Sequence, residues 1–160
     1  MPGVEKILIS ACLLGERVRY HGGDARIEHP IVRQWSEEGR LVPVCPEVAG
    51  GLSTPRPPAE IVRTAGLCRV LTVAVTDVTS AFERGAATAL EVVAADRIRM
   101  AVLKDGSPSC GTTWMYDGSF SGRRVPGRGI TAAALVAAGV MVFSEADIDR
   151  AAAYLIALEG

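Results

Sequence analysis

Lys6–Gly15 reads KILISACLLG. The run KILISA is short and apolar and suits a buried strand, and Cys12-Leu13-Leu14-Gly15 ends it. A cysteine therefore stands just past the first strand end. The arrangement returns at Leu41–Cys45, LVPVC, a second strand. Pro43 lacks a backbone donor, so this strand is expected to be short or near an edge. It returns again where a strand over Arg99–Leu103 runs into Lys104-Asp105-Gly106 and the tight loop Ser107-Pro108-Ser109-Cys110-Gly111.

Helices fill the intervals. Ile31, Val32 and Trp35 have helical spacing within Pro30–Glu38, and Gly39 is a natural stop. Gly50–Pro58, GGLSTPRPP, forbids regular structure and predicts an ordered loop. Leu67–Val75 is apolar and β-branched and predicts one or two strands. Thr79–Ala95 gives the clearest helix: Ser80 and Glu83 have capping-box spacing, and Phe82, Ala86, Ala89, Leu90 and Val93 form a buried stripe. Asp117–Gly129, DGSFSGRRVPGRG, reads as a mobile polar loop. Thr131 is expected to cap a short Ala-rich helix to Ala138, and Val140–Phe143 is a last strand. Ser144 and Asp147 are expected to cap a terminal helix with Ile148, Ala152, Leu155 and Leu158 inward.

Strands that alternate with helices predict a single α/β domain over residues 1–160. The expected architecture is a layered, Rossmann-like fold with a largely parallel sheet and helices on both faces. Such sheets bind ligands beyond the carboxyl ends of their strands. One sheet edge can therefore gather Cys12, Cys45 and Cys110, although they are far apart in sequence.

Hydrophobic residues make up 49% and charged residues 22% of the 160 residues, with a formal net charge of -1. That balance fits a soluble globular protein and argues against a general attraction for nucleic acid or anionic membrane. Met1–Lys6 runs into its apolar stretch without a cleavage site, so no targeting segment and a cytoplasmic location are expected. Thiols stay reduced there, which leaves the four cysteines as packing residues, nucleophiles or metal ligands. No CxxC pair is present, so the usual structural-zinc spacing is missing. Taken singly, a cysteine is most often a small buried hydrophobe, and Cys68, inside an apolar strand, reads so. Cys45 and Cys110 sit in Pro- and Gly-rich corners, where packing gives a weaker reason for cysteine. His21 and His29 read as surface residues.

The segments SACLLGERVRYHGGDA (Ser10–Ala25), CPEVAGGLSTPRPPAEI (Cys45–Ile61), DVTSAFERGA (Asp77–Ala86), LKDGSPSCG (Leu103–Gly111), YDGSFSG (Tyr116–Gly122) and GRGITAAAL (Gly127–Leu135) resemble the 2-thiouracil desulfurase family, in the same order along nearly the whole chain. The resemblance implies a 4Fe–4S cluster held by Cys12, Cys45 and Cys110, with Cys68 outside the ligand set. Four irons normally take four thiolates, so three leave one iron open to a soft sulfur. It also implies non-redox hydrolytic removal of sulfur from a thiolated pyrimidine: 2- or 4-thiouracil or its nucleoside or nucleotide. Glu47 of the CPE motif is the expected general base; its alternatives are a helix cap or an arginine pair. Ser107 is a second catalytic candidate, through a hydroxyl that donates to the ring or relays a proton, and Ser109 could serve instead. Arg123, Arg124 and Arg128, just before the Thr131 helix, could hold a phosphate, or they could be a solvated loop. The expected partners are a small thiolated pyrimidine and the iron–sulfur cluster assembly machinery, without membrane or intact nucleic acid. Two other readings remain at this point: a metal-free sulfurtransferase with Cys110 as nucleophile, and a non-catalytic cluster-binding sensor.

Overall fold

The computed structural model describes residues 4–160; Met1–Gly3, part of the stretch read for a targeting segment, lie outside the described residues. Four strands form a parallel sheet: β1 (Ile7–Ser10), β2 (Leu41–Val44), β5 (Met100–Leu103) and β8 (Met141–Ser144), in the order β2-β1-β5-β8. Ile7 pairs with Leu41 on one side and Met100 on the other. β1 and β5 are central and buried along their whole length, as continuous apolar runs in parallel sheets are. Pro43 lies on β2, an edge strand, as expected.

The two faces carry separate cores. Ile7, Ile9, Met100 and Val102 pack against Trp35 of α1 (Pro30–Glu37) and Ile148 and Leu155 of α5 (Ile148–Glu159). Leu8, Ala101 and Leu103 pack against Ala89 and Val93 of α3 (Thr79–Asp96) and Ala132 and Leu135 of α4 (Ile130–Ala137). Helices on both faces of a parallel sheet meet the α/β expectation. The crossover from β1 runs outward to β2 and the one from β5 runs outward the other way to β8, and the gap between β1 and β5 is where such folds open a crevice at the strand carboxyl ends.

Two antiparallel pairs sit beside this sheet: β3 (Ala59–Thr64) with β4 (Leu67–Thr72), and β6 (Trp114–Tyr116) with β7 (Arg124–Pro126). β3 and β7 differ from the sequence reading. Ala59–Thr64 is strand, and part of the Arg-rich stretch read as polar loop pairs with β6. β4 ends at Thr72, short of the expected Val75, and Val73 and Val75 are exposed. Cys68 is exposed on β4, not packed.

Helix ends differ from the local rules in three places. No capping box forms at α3: Val78 is the N-cap, and the Asp77 carboxylate accepts from Thr79 N at 2.9 Å. Gly129, not Thr131, precedes α4, and Thr131 is fully buried in its first turn. Ser144 accepts from Ala146 N across a short 3-10 turn that leads into α5, where Asp147 makes no side-chain cap. Leu90, Ala152 and Leu158 are only half-buried, and Ala151 takes the buried place in α5. His29 caps α1 through Nδ1, which accepts from Ile31 N at 3.1 Å. Among the described residues no helix is long and apolar enough to cross a membrane.

Candidate active site

A cavity of about 500 Å³ opens at the carboxyl ends of β1, β2 and β5. Cys12, Cys45 and Cys110 all line it, with Glu47, Ser107 and Ser109. Each thiol arrives by a different local device. Cys12 stands in a 3-10 turn that follows β1 directly and closes on Gly15, whose φ of 96° is the left-handed turn that glycine adopts readily. Cys45 is the N-cap of α2 (Pro46–Ala49), a single turn whose first helical position is proline. Gly85 lets this turn lie on α3, since a Cβ there would meet Pro46 O at 2.0 Å.

Cys110 belongs to the most heavily bonded loop at the site. Asp105, just after β5, is 7% exposed, and its carboxylate accepts from the backbone N–H groups of Gly106, Thr112, Thr113 and Trp114 and from the Thr113 hydroxyl. Burial raises the Asp105 pKa, but the donors from Thr113, Thr112 and Trp114 outweigh it and hold the carboxyl below its usual range. Ser107 Oγ accepts from Cys110 N at 2.7 Å. The first turn of α4 binds the same loop: Ile130 N donates to Pro108 O at 2.7 Å, and Thr131 N and Ala132 N donate to Ser109 O at 2.9 and 3.1 Å. The helix N-terminus read as a phosphate site therefore spends its donors on the ligand loop.

Glu47 faces this loop from α2. Its carboxylate accepts from Ser109 Oγ at 2.9 Å on one oxygen and from Arg56 Nε at 3.1 Å on the other. Ser109 Oγ lies 3.2 Å from Ser107 Oγ. Because the Ser109 proton goes to Glu47, Ser107 is the donor between the two hydroxyls. The structure thus brings Glu47, Ser107 and Ser109 together and realises the arginine pair considered for Glu47. Glu60 and Asp105, also carboxylates of the cavity wall, are both occupied, Glu60 by Gly118 N and Phe120 N.

The three arginines separate. Arg124 lines the cavity, with its guanidinium 3.9 Å from the Trp114 ring centroid. Arg123 is exposed and lies 3.9 Å from Asp117, and Arg128 is exposed and does not line the cavity. Arg56, Arg19, Lys104 and Trp114 also line the site and were not singled out from the sequence. Their segments carry no periodicity that marks them. The one usable signal was an isolated arginine within STPRPP, in a loop otherwise free of charge.

Burial pushes the Cys12 thiol up to about 11 and the Cys110 thiol up to about 12, and it raises Cys45 as well. Glu47 adds to the effect at Cys45 and Cys110, and the thiols raise one another, Cys45 at Cys12 and Cys12 at Cys110. Arg19 and Lys104 oppose it at Cys12, and Arg56 opposes it at Cys45. A metal group that took these thiols as ligands would have to displace their protons. Among the described residues no three His, Cys, Asp or Glu side chains converge on a single ion. An iron–sulfur cluster presents a different iron to each thiolate, so three thiols spread around one cavity fit it.

The chain is similar to known proteins over most of its length. Residues 7–147 match the family described as 2-thiouracil desulfurase. The uncharacterized protein YbbK of Bacillus subtilis (strain 168) is 40% identical over 149 residues, which cover 89% of this chain and 97% of that protein. A solved structure of the [4Fe-4S]-dependent thiouracil desulfidase TudS is 48% identical and superposes with a TM-score of 0.89, covering 94% of this chain and 97% of that one. By sequence, fold and the three cysteines at one sheet edge, this chain belongs to the 2-thiouracil desulfurase family.

Proposed function

We propose that this chain is an iron–sulfur-dependent hydrolytic desulfurase: it converts a thiolated pyrimidine, 2- or 4-thiouracil or its nucleoside or nucleotide, to the oxo-pyrimidine and hydrogen sulfide. The observation that carries the reading is one cavity lined by three strand-end thiols and by the hydrogen-bonded set Glu47, Ser109 and Ser107. Cys12, Cys45 and Cys110 hold the 4Fe–4S cluster. When bound, the cluster supplies an iron without a protein ligand, a Lewis acid matched to a soft thiocarbonyl sulfur.

The chain's own residues supply the rest. Glu47 takes a proton from the water that attacks the ring carbon, and its two held oxygens fix the direction from which it does so. Ser109 keeps one carboxylate oxygen in place, and Ser107, which donates to Ser109 in this arrangement, turns its one proton to the ring only by giving up that bond when substrate binds. The water oxygen ends on carbon, both of its protons leave with sulfur, and no net electron is transferred. Arg124, laid on Trp114, is the arginine placed to hold an anionic substituent on the substrate. A cavity of this size suits a small molecule, not intact nucleic acid. The reading also carries a cytoplasmic location and loading by cluster assembly machinery. Cys110 as a metal-free nucleophile is disfavoured by its burial and raised pKa, the opposite of what a reactive thiol needs.

The test is anaerobic sulfide release from thiouracil, with iron and acid-labile sulfide counted on the same sample. The loaded wild-type protein is expected to turn over, and Glu47→Gln to keep its cluster while turnover falls by roughly 10²–10⁴. A Glu47→Gln enzyme with a full cluster and near-normal turnover removes Glu47 as the base. A wild-type protein that loads fully and releases no sulfide rejects the desulfurase reading.

A further inference from the structure

We propose that Arg56 is a positioning residue of this site, which locks the Glu47 carboxylate and the Val18 carbonyl beside Cys45 in one mutual placement. The proposal rests on Glu47 being the base, as read above.

Arg56 lies in the Gly- and Pro-rich loop between α2 and β3, yet its side chain is only 6% exposed. Four of the five N–H donors of its guanidinium are engaged. Nε donates to Glu47 Oε1 at 3.1 Å, Nη1 to Ser53 O at 3.1 Å and to Thr54 Oγ1 at 2.9 Å, and Nη2 to Val18 O at 2.8 Å. Its backbone N donates to Tyr20 O at 2.7 Å. One planar fork thus joins three separate pieces of chain: the loop after Cys12, the α2 turn and its own loop. A lysine has the charge but not the fixed fork, and it cannot hold these directions at once.

The partners themselves set Arg56 apart from an ordinary ion pair. Glu47 has one oxygen on Arg56 and the other on Ser109, so its carboxylate cannot rotate without breaking one of the two bonds. Val18 O, the acceptor of Nη2, also accepts from the Cys45 thiol, 3.9 Å from Sγ. Base and ligand are tied to the same rigid group. An ion pair that served stability alone has no reason to take these two partners, because burying such charges costs about as much as their attraction returns.

A double-mutant cycle on the anaerobically reconstituted holoenzyme decides the matter, with thiouracil as the probe. Arg56→Lys is expected to keep its iron content and to lower kcat by roughly 10–100-fold, with KM within about threefold, as misplacement of a base by a fraction of an ångström does. In a Glu47→Gln background the same change is expected to alter the residual rate by less than about twofold, because the group it positions is already disabled. Thr54→Val removes one anchor of the guanidinium and leaves Arg56 itself, which makes the test independent of whether Arg56→Lys folds. Its expected loss is roughly 2–10-fold in kcat, again absent beside Glu47→Gln. Equal losses in both backgrounds, a kcat that falls only in step with iron content, or a wild-type rate in Thr54→Val each overturn the role of Arg56. If the loaded wild-type enzyme releases no sulfide, the desulfurase reading falls first and this inference with it.

Discussion

Asp-Gly-Ser occurs twice on either side of β6, at Asp105-Gly106-Ser107 and at Asp117-Gly118-Ser119, and the two copies behave differently. Both glycines are left-handed, with φ of 88° and 93°. In the first copy the aspartate gathers four backbone donors and a threonine hydroxyl from the nine residues that follow it, and it is buried. In the second the aspartate accepts only from Ser119, two residues on, and faces an exposed arginine. The same three residues make a built-in wall in one place and a surface turn in the other. The difference lies outside the tripeptide: one copy follows a central strand and meets the first turn of α4, whereas the other follows a three-residue strand of a two-stranded pair.

The largest expected contrast concerns metal. Cys110→Ala, in the first loop, is expected to abolish stable cluster binding, as are Cys12→Ala and Cys45→Ala, whereas Cys68→Ala on the exposed hairpin leaves iron and sulfide counts unchanged. A protein bleached by Cys68→Ala and not by Cys110→Ala would reverse the assignment.

Stability comes next. Asp105→Asn is expected to cost about 2–4 kcal/mol in denaturant unfolding, since it weakens several bonds to a buried charge, while Asp117→Asn leaves the unfolding midpoint in place. The effect carries a pH signature. A carboxyl whose folded pKa is depressed stabilises fully above the unfolded value near 3.9, and that contribution is lost as pH falls through the folded pKa. The gap between wild type and Asp105→Asn is therefore expected to narrow in acid below about pH 4 and to be constant above pH 5. An undiminished gap in acid would mean that shape, not charge, holds the loop.

Ser107→Ala removes the acceptor for Cys110 N and is expected to cost roughly 1 kcal/mol of stability, with a separate loss in turnover, whereas Ser119→Ala changes neither. The smallest contrast separates the arginines. Arg124→Ala is expected to raise KM for a thiolated nucleotide by roughly 3–10-fold and to leave KM for the free base alone, and Arg128→Ala moves neither value. If both substrates respond equally to Arg124→Ala, its place on Trp114 shapes the wall and does not bind an anion.

Residues decided by their own segment were legible in advance. The central strands are apolar throughout, and Cys12, Cys45 and the Cys110 loop follow the ends of β1, β2 and β5, so three thiols at one sheet edge follow from reading strands. What local rules could not show was decided elsewhere in the chain. Thr131 has the right residue type for a cap, but the first donors of α4 are met by carbonyls of Pro108 and Ser109, far earlier in the chain. The β3–β4 turn is Ala65-Gly66, with φ of 51° and 80°. Two left-handed residues are usually announced by Asn-Gly or Asp-Gly, and alanine hides the signal. Cys68 lies two residues from buried Val70 on the same strand face, yet it sits near the hairpin tip, beyond the reach of the core. Arg56 offers neither periodicity nor a paired charge nearby in sequence; its significance comes from the three segments that meet around it.

The way α4 grips the Cys110 loop bears on how the protein matures. The bonds that fix that loop run between backbone atoms, Ser107 and Asp105, and none of them needs sulfur to be ionised or bound. Its shape is thus set by the fold and not by the cargo, unlike small metal domains that are unfolded until loaded. An unloaded chain is therefore expected to keep this loop folded, which near-ultraviolet circular dichroism before and after reconstitution checks.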